Sequence, residues 1–316
     1  MTEKEWITYL KKHLFEKPPV FKTYNEDCTV IQKEEQEFLL ITTDALVETI
    51  HFKLDYYSFF DLGVKLANSN LSDIAACGGE PEWALLTLGS PIPVDVNWAE
   101  PFLQGLNQSL NKFGAHLVGG DTVKSPFFFF NLTLFGKTNF PILRKGAKEG
   151  DLIFVSRPLG GSSAFLRMVK TSPLKEIPEN LKKAHLYPEP EIILGKELSS
   201  KNLATSAIDI SDGLLLDLWR ICEENSVGAE LLQEAIPIEP GATLEDALSG
   251  GEDYALLFTV SPSNLHQIGE IETKLKRKFF CIGKILPEKN LYLVNEKKER
   301  LKLKPKGFDH FNLKIT

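Results

Sequence analysis

Apolar residues along this chain follow two periods, one typical of helices and one typical of strands. Small and apolar residues recur at helical spacing over residues 58–77 and again over 98–113, which predicts two helices. Residues 127–135 form an apolar run that contains four consecutive phenylalanines, and we expect a strand buried on both faces, in the core or at a subunit interface. Shorter apolar runs predict further strands at 38–42, 82–88, 116–118, 206–210, 255–260, 279–285 and 291–294.

The order of these elements predicts two domains. The polar, glycine-bearing stretch 144–151 interrupts the pattern, so we place an N-terminal domain at 1–145 and a C-terminal domain at 146–316. A chain of 316 residues also exceeds the length that one hydrophobic core usually serves. In the second part, strands alternate with helical patterns, which indicates an α/β or α+β fold. Residues 171–190 are rich in proline and lysine and predict a connecting segment.

Composition indicates a packed globular protein and excludes several functions. Hydrophobic residues make up 43% of the chain and charged residues 25%, which are close to globular averages. The formal net charge of -7 gives no basic surface for nucleic acid or an anionic membrane. The four cysteines form no Cys-x-x-Cys pair, and no apolar stretch has the length of a signal-peptide core or a membrane span. We therefore expect a cytoplasmic protein, in which an anionic ligand is attracted by bound cations.

The aspartates are the informative polar residues, because they stand at strand ends, in turns or among small residues. Carboxylates that converge raise one another's pKa unless a cation compensates, and ligation by oxygen alone favours a hard ion such as Mg²⁺. Mg²⁺ usually joins one or two carboxylates to phosphate oxygens, so a phosphate ester or nucleotide is the expected ligand. The aspartates in this setting are Asp27, Asp44, Asp73, Asp121, Asp209 and Asp212.

Each acidic motif also has a structural interpretation. The segment Thr42–Asp44 at a strand end can ligate an ion and its waters, or it can form a capped turn. Ser211 and Asp212 precede an apolar helix and can be an ordinary N-cap. Asp209 adds a third oxygen-bearing side chain at that helix end, which also favours phosphate.

Two glycine pairs precede acidic residues. The pair at 119–120 before Asp121 lets a ligand approach the backbone closely, or it forms a turn. The pair at 250–251 leaves room beside Glu252, which can accept hydrogen bonds from a cationic or amino-bearing ring; a turn at strand entry is the alternative.

Two basic side chains are further candidates. His51 can contact a phosphate or a substrate group, although a lone loop histidine is more often structural. Arg144 can clamp a nucleotide phosphate, although an arginine beside a domain boundary is usually solvated. The chain has no G-x-x-x-x-G-K-[ST], G-x-G-x-x-G or G-x-S-x-G sequence, so P-loop, protein-kinase, dinucleotide-binding and α/β-hydrolase interpretations lose their main support.

Taken in order, these motifs resemble the thiamine-monophosphate kinase family over nearly the entire chain. Any one motif is weak, but seven in the right order at sensible spacing are specific. The motifs are Asn25-Glu26-Asp27-Cys28, Thr42-Thr43-Asp44-Ala45-Leu46-Val47-Glu48 with His51-Phe52, Asn70-Leu71-Ser72-Asp73-Ile74-Ala75-Ala76, Gly119-Gly120-Asp121-Thr122, Asp209-Ile210-Ser211-Asp212-Gly213-Leu214, Gly250-Gly251-Glu252-Asp253-Tyr254 and Gly307-Phe308-Asp309-His310-Phe311.

The resemblance implies a fold, an assembly and an activity. The family shares its fold with aminoimidazole ribonucleotide synthetase and selenophosphate synthetase, which implies an N-terminal α+β domain whose strands form a barrel-like interface in a homodimer, and a C-terminal α/β domain. The implied reaction is ATP-dependent phosphorylation of thiamine monophosphate to thiamine diphosphate, with several Mg²⁺ ions. It is the last step of thiamine diphosphate biosynthesis.

Matching positions imply roles for individual residues. No general base is expected, because the attacking phosphate oxygen is already mainly ionised at pH 7. The residues implied to bind Mg²⁺ are Asp27, Thr42, Thr43, Asp44, Asp73, Asp121, Asp209 and Asp212. The residues implied to bind ATP are Gly120, Asp121, Arg144 and Ser211, and those implied to bind thiamine monophosphate are His51, Glu252 and Phe308.

The chain departs from the family pattern at two places. The family usually has Gly-x-Gly-Asp-Asp before the first metal ligand, whereas this chain has Thr23-Tyr24-Asn25-Glu26-Asp27, and Cys77 stands where methionine is usual. Two alternative functions stay open. One is another ATP-dependent member of the superfamily that acts on a different small substrate, and the other is a protein that binds nucleotide or thiamine phosphate without catalysis.

Overall fold

Two mixed sheets, one in each half of the chain, organise the fold. A computed structural model of the protein describes residues 3–310. The N-terminal half contains α1 (Glu3–Leu10), β1 (Val20–Lys22), β2 (Thr29–Glu34), β3 (Glu37–Val47), α2 (Phe59–Ala76), β4 (Glu80–Ser90), α3 (Val96–Lys112), β5 (His116–Lys124) and β6 (Phe129–Thr138). The C-terminal half contains β7 (Leu152–Val155), α4 (Gly161–Val169), α5 (Glu179–Leu186), α6 (Ile192–Ser200), β8 (Ala204–Asp209), α7 (Leu214–Asn225), β9 (Gly228–Leu232), α8 (Leu244–Ser249), β10 (Leu256–Val260), α9 (Leu265–Leu275), β11 (Phe280–Leu286), β12 (Leu291–Val294) and β13 (Arg300–Leu303).

The N-terminal sheet has six strands in the order β1-β2-β3-β6-β4-β5. Its longest pairing is antiparallel and joins β3 to β6, from Phe38 opposite Thr138 to Val47 opposite Phe129. β4 and β5 run parallel, as a connection through the helix α3 allows. Within residues 3–310 this sheet is open, with β1 and β5 at its edges. The chain by itself closes no barrel there, and the barrel-like dimer interface stays a prediction.

The helix α2 connects the two halves, and its sequence explains where it begins and ends. Ser58 caps its N-terminus through reciprocal hydrogen bonds with Asp61. Gly78, with a φ of 69°, lies just beyond its C-terminus. Gly63 allows α3 to pack closely, because a Cβ atom there would lie 2.1 Å from the carbonyl oxygen of Phe102. On another side α2 contacts α6 and β8 of the C-terminal half.

The C-terminal sheet has seven strands in the order β13-β12-β9-β11-β7-β10-β8. β10 is buried along its whole length between β7 and β8, which explains its uninterrupted apolar sequence. β8 ends at Asp209, and a turn then leads into α7, so the motif Asp209–Gly213 lies at the end of β8 that faces α2. Both halves combine helices with a sheet, which confirms the predicted mixed class. The predicted boundary at 145/146 falls between β6 and β7 and stays a prediction.

Two strands were predicted to end too early, because β3 continues to Val47 beyond Asp44 and β5 continues to Lys124 beyond Val118. Gly119 to Thr122 lie inside β5 and not in a turn after it. A Cβ atom on Gly120 would lie 1.8 Å from the carbonyl oxygen of Leu86, so pairing with β4 requires the glycine. In the single chain the phenylalanine run alternates, with Phe128 and Phe130 buried and Phe127 exposed, because one face of the sheet packs on helices. Burial of the other face at a subunit interface stays a prediction.

The segment 171–190 is more ordered than its composition suggests. It contains α5, which follows Pro178 and turns Leu181 and His185 into the interior. Proline at the N-terminal boundary of a helix is compatible with helix formation, because the first N–H groups need no helical partner. No helix within the described residues is long and apolar enough to cross a membrane. Phe311, the last residue of the motif at 307–311, lies outside the described residues.

Candidate active site

A cavity of about 880 Å³ lies between the two halves of the chain. Its N-terminal wall includes Asp44 from β3, and Ser69 and Asp73 from α2. Its C-terminal wall includes Ser211 and Asp212 from the turn before α7. Because α2 and the end of β8 are in contact, acidic residues from distant parts of the sequence meet at this boundary.

Three carboxylates form a compact cluster beside the cavity. Oxygen atoms of Asp27, Asp73 and Asp209 lie within 4.8 Å of one another. Burial and the charges of Asp44 and Asp209 hold the pKa of Asp73 well above its ordinary value. Burial and the charge of Asp27 do the same to the pKa of Asp209. A cation at this cluster would remove the repulsion, and a donor set of oxygen atoms suits a hard ion.

Hydroxyl groups fix the orientation of these carboxylates. The Thr42 hydroxyl donates a hydrogen bond to Asp73, and the Ser72 hydroxyl donates one of 2.6 Å to Asp209. Each aspartate therefore keeps its second oxygen for another partner. The cluster is held by side chains from both halves of the chain, which preorganises it for a ligand at the boundary.

Asp44 and Asp212 extend the acidic surface into the cavity. Burial raises the pKa of Asp44 to about 6, with a hydrogen bond from Ser69 opposing the shift and the charge of Asp212 adding to it. Asp212 forms an ion pair with Arg220, at 2.5 Å between carboxylate oxygen and guanidinium nitrogen. Arg220 also binds the buried Asp217 at 2.5 Å, which ties the turn before α7 to the helix.

The unusual segment at 23–27 is anchored by Arg144. The Arg144 guanidinium forms an ion pair with Asp27, and its backbone N–H donates a 2.8 Å hydrogen bond to Glu26. The Asn25 side chain donates a 3.2 Å hydrogen bond to Glu224 on α7. Burial raises the pKa of Glu26 to about 7. Arg144 is thus buried and already paired with the acidic cluster.

Glu252, His51 and Phe308 also line the cavity. The Phe308 backbone N–H donates a 3.0 Å hydrogen bond to the carbonyl of Asp212, so the C-terminal segment lies directly on the turn before α7. Burial and the neighbouring His310 lower the pKa of His51. Its Nδ1 accepts a 3.1 Å hydrogen bond from the Val47 N–H, so the neutral ring carries its proton on Nε2.

Comparisons with known proteins agree with this geometry. Residues 25–138 match the family described as AIR synthase related protein, N-terminal domain, and residues 148–295 match the corresponding C-terminal domain. The thiamine-monophosphate kinase of Buchnera aphidicola subsp. Acyrthosiphon pisum is 35% identical over 98% of this chain and 99% of its own length. That of Escherichia coli K12 is 36% identical over 90% of each chain. This chain belongs to the thiamine-monophosphate kinase family.

A solved structure supports the same family. It is described as AaThiL complexed with AMPPCP and TMP, is 30% identical to this chain, covers 98% of this chain and 97% of its own, and has a TM-score of 0.84. Together with the two family matches, it confirms the predicted two-domain, mixed α/β fold.

In this member of the thiamine-monophosphate kinase family, some predicted residues lie away from the cavity. Thr43 points to the opposite face of β3 from Thr42 and Asp44, where its hydroxyl accepts a 2.9 Å hydrogen bond from Asn131. Gly120 and Asp121 are exposed on the edge strand β5. The described chain brings none of Thr43, Gly120 and Asp121 into contact with the cavity.

The sequence analysis missed two residues that the fold brings against the cavity-lining Glu252. Lys65 lies on α2 one turn before Ser69 and contacts Glu252, and His185 on α5 contacts Glu252 from another side. Lys65 has a signal in the sequence, because it is the single lysine or arginine in the apolar helix 59–76. His185 has no comparable signal, since it lies in the segment that resembles a connection.

Proposed function

We propose that this protein transfers the γ-phosphate of ATP to thiamine monophosphate, giving thiamine diphosphate and ADP, the last step of thiamine diphosphate biosynthesis. The observation that carries this proposal is the cluster of Asp27, Asp73 and Asp209 beside a cavity shared by both halves of a chain of this family. The bound AMPPCP and TMP of the AaThiL structure support ATP and thiamine monophosphate as the two substrates.

The donor set of the acidic cluster fits Mg²⁺. Two of its three carboxylates have raised pKa values without a cation, and all its donors are oxygen atoms. Bound Mg²⁺ would neutralise the phosphate groups of both substrates and hold them together. We propose several ions, held by Asp27, Thr42, Thr43, Asp44, Asp73, Asp121, Asp209 and Asp212.

The protein itself contributes positioning rather than proton transfer. Asp217 accepts hydrogen bonds of 3.1 and 3.0 Å from the backbone N–H groups of Asp212 and Gly213, which holds the turn that presents Ser211 to the cavity. No general base is needed, because the attacking phosphate is already ionised. We infer direct in-line transfer without a phosphorylated enzyme. The residues proposed to hold ATP are Gly120, Asp121, Arg144 and Ser211.

The residues that line the cavity suit a substrate whose two ends differ in chemistry. Thiamine monophosphate has a phosphate at one end, an aminopyrimidine at the other and a cationic thiazolium between them. Lys65, Ser69 and Asp73 follow one stripe of α2, and the two ends of this stripe are about 12 Å apart along the helix axis. We propose that the phosphate lies at the Asp73 end, while Glu252, His51 and Phe308 bind the rings.

We also propose that the protein is a cytoplasmic homodimer, with residues 1–145 as the nucleotide-binding and dimerisation domain and 146–316 completing the substrate site. The outer face of the N-terminal sheet supports this, because Trp83 and Leu85 are 50% and 39% exposed there. By strand register Thr43 and Asp121 lie on the same outer face, so a second copy would cover them. The four cysteines are free thiols, as suits a reducing compartment.

Product analysis tests the proposed function. The full chain is incubated with ATP, Mg²⁺ and thiamine monophosphate, and products are separated by chromatography. We expect equal amounts of thiamine diphosphate and ADP, and neither product when EDTA removes the metal. Formation of ADP only with a different acceptor would identify another activity of the superfamily. Tight, Mg²⁺-dependent binding of both ligands without ADP would identify a binding protein.

A further inference from the structure

Lys65 is a buried cation that the proposed chemistry does not use. Its side chain is 1% exposed, in the middle of the apolar helix α2. Its ammonium group donates a 3.0 Å hydrogen bond to the carbonyl of His185, lies 3.4 Å from a carboxylate oxygen of Glu252 and sits 5.0 Å from the centre of the Tyr254 ring. A buried ammonium group is unfavourable unless such partners compensate for lost water.

Contacts of both its backbone and its carboxylate hold Glu252 in a constrained position. Its backbone has a φ of 66°, which is uncommon for a residue other than glycine, and its N–H donates a 2.7 Å hydrogen bond to the carbonyl of Ser211. One carboxylate oxygen faces Lys65, and the other lies 3.4 Å from Nδ1 of His185. The side chain is 21% exposed and lines the cavity, so it retains an open side.

His185 is a neutral contact and cannot replace Lys65. Burial and the charge of Lys65 lower the pKa of His185 to about 3. Its Nδ1 also lies 2.8 Å from the Ser162 hydroxyl, while the buried Nε2 has no partner. The proton therefore belongs on Nδ1, since an unpaired acceptor is less unfavourable in the interior than an unpaired N–H. Lys65 is thus the buried cation in contact with the Glu252 carboxylate.

We propose that Lys65 is a positioning residue for substrate, which holds the Glu252 carboxylate ionised and aimed into the cavity so that it can bind a cationic, amino-bearing ring. The inference rests on the proposed function, because thiamine monophosphate is the ligand that brings such a ring. Lys65 acts through Glu252 and contacts no substrate itself. Ser69 and Asp73 continue the same helical stripe, so α2 sets the position of both ends of the substrate site.

A purely structural role for Lys65 makes a different prediction. Lys65 and the Tyr57 hydroxyl both donate to the carbonyl of His185, at 3.0 and 3.4 Å, so Lys65 also holds the end of α5. If that were its whole role, loss of Lys65 would lower stability and weaken all ligands alike. Positioning of Glu252 instead affects the affinity for thiamine monophosphate and leaves that for ATP unchanged.

Equilibrium binding to four variants tests the proposal. The variants are Lys65→Met, Glu252→Gln, the double variant of both, and Lys196→Met as a control, since Lys196 forms an exposed ion pair with Glu80 and neither residue lines the cavity. Calorimetry measures the Kd of thiamine monophosphate and of ATP with Mg²⁺. We expect Lys65→Met to weaken thiamine monophosphate binding about tenfold or more, because it leaves Glu252 without its cation. The control should bind both ligands like the wild type.

The double variant separates the two roles of Lys65. Once Glu252→Gln has removed the carboxylate, adding Lys65→Met should weaken thiamine monophosphate binding no further. The double variant leaves neither charge buried without its partner, so it should fold better than Lys65→Met alone. The comparison of Glu252→Gln with the double variant therefore stands even if Lys65→Met fails to fold. A further loss in the double variant, or equal losses for ATP and thiamine monophosphate in Lys65→Met, would overturn the proposal.

The wild-type measurements distinguish this inference from the proposed function. If the wild type binds thiamine monophosphate but makes no product, the kinase proposal is wrong and the Kd values still decide the role of Lys65. If the wild type does not bind thiamine monophosphate, both are wrong.

Discussion

Asp73 has three neighbouring carboxylates at the acidic cluster, those of Asp44, Asp209 and Asp27, and its replacement separates a role in catalysis from a role in stability. Asp73→Asn should lower kcat about a hundredfold or more, because a neutral amide holds a cation poorly. The metal-free protein should not lose stability, since the charge removed is disfavoured by burial and by Asp44 and Asp209. Steady-state kinetics and thermal unfolding with and without Mg²⁺ measure the two effects.

Asp151→Asn is the matched control for Asp73→Asn. Asp151 is also buried and hydrogen-bonded, at 2.7 Å to the Thr205 hydroxyl, but it does not line the cavity. Its replacement should leave kcat unchanged. A kcat for Asp73→Asn equal to that of the wild type would contradict the role of the cluster.

Asp253 gives a pH dependence that is independent of metal. Burial raises its pKa to about 7, although backbone N–H groups of Gly160 and Ser162 oppose the shift. The folded state therefore keeps a proton that the unfolded state has lost above its ordinary pKa near 4. Stability from this group is complete below pH 4 and is lost as the pH rises to about 7, by up to about 1.4 kcal/mol per pH unit.

Urea unfolding between pH 4.5 and 7.5 tests this dependence by comparison with Asp253→Asn, which has no proton to release. The stability of the wild type relative to Asp253→Asn should fall as the pH rises. Asp55→Asn, a change at an exposed aspartate, serves as control and should follow the wild type. Parallel curves for wild type and Asp253→Asn would contradict the shift.

Individual residues differ in how far the sequence predicts them. Asp44, Asp73 and Asp212 could be picked out because the sequence predicts each at a strand end, in a turn or among small residues, and the structure brings them to one cavity. For Asp44 the reason was inexact, because β3 continues past it to Val47. The contact of Lys65 with Glu252 could not be predicted, because the two residues are far apart in sequence and an isolated lysine carries no information on its partner. Burial is a property of the tertiary structure, and it turns this lysine from a surface residue into a candidate positioning residue.

At the scale of elements, the close packing of α2 on α3 sets the position of Asp73. Gly63→Ala should lower the free energy of unfolding by about 2 kcal/mol or more, because the added Cβ would lie 2.1 Å from a backbone oxygen of α3 and must separate the helices. Activity should fall as well, since α2 carries both Lys65 and Asp73. Chemical denaturation and initial rates measure these effects.

Gly269→Ala is the control at the same scale. Gly269 is an exposed residue of α9, where an added Cβ meets nothing within 4 Å. The change should stabilise the protein by about 0.5–1 kcal/mol, because alanine loses less backbone freedom in a helix than glycine. A stable, active Gly63→Ala variant would show that the α2–α3 contact is not constrained.

Helices and strands could be predicted where the local sequence determines their bounds, and less well where contact with another element determines them. The helix α2 has a helical pattern, a Ser58 cap and a terminal Gly78, so its position follows from local sequence. β5 does not, because Gly119 and Gly120 resemble a turn until β4 is placed beside them. α5 was missed for a similar reason, since its Leu181 and His185 become buried only through contact with α4 and α2.

At the scale of the whole molecule, the outer face of the N-terminal sheet is the surface that a second copy would cover. Trp83→Glu places a charge on this face, beside Leu85 and in a row with the exposed β5. If two copies pack these faces together, the buried charge has no partner and the dimer should dissociate. Light scattering coupled to size exclusion should report a dimer for the wild type and a monomer for Trp83→Glu.

Leu265→Glu distinguishes loss of this interface from a general effect of a surface charge. Leu265 is 47% exposed on α9 of the C-terminal half, close to the 50% of Trp83. Both substitutions therefore replace a half-exposed hydrophobic side chain by a carboxylate, on different surfaces of the protein. The Leu265→Glu variant should remain a dimer. Thr43 and Asp121 lie on the face that contains Trp83. If a second copy completes the Mg²⁺ and ATP sites at these two residues, dissociation should also weaken Mg²⁺-dependent ATP binding. A monomeric wild type, or a dimeric Trp83→Glu with unchanged ATP affinity, would exclude this face as the interface.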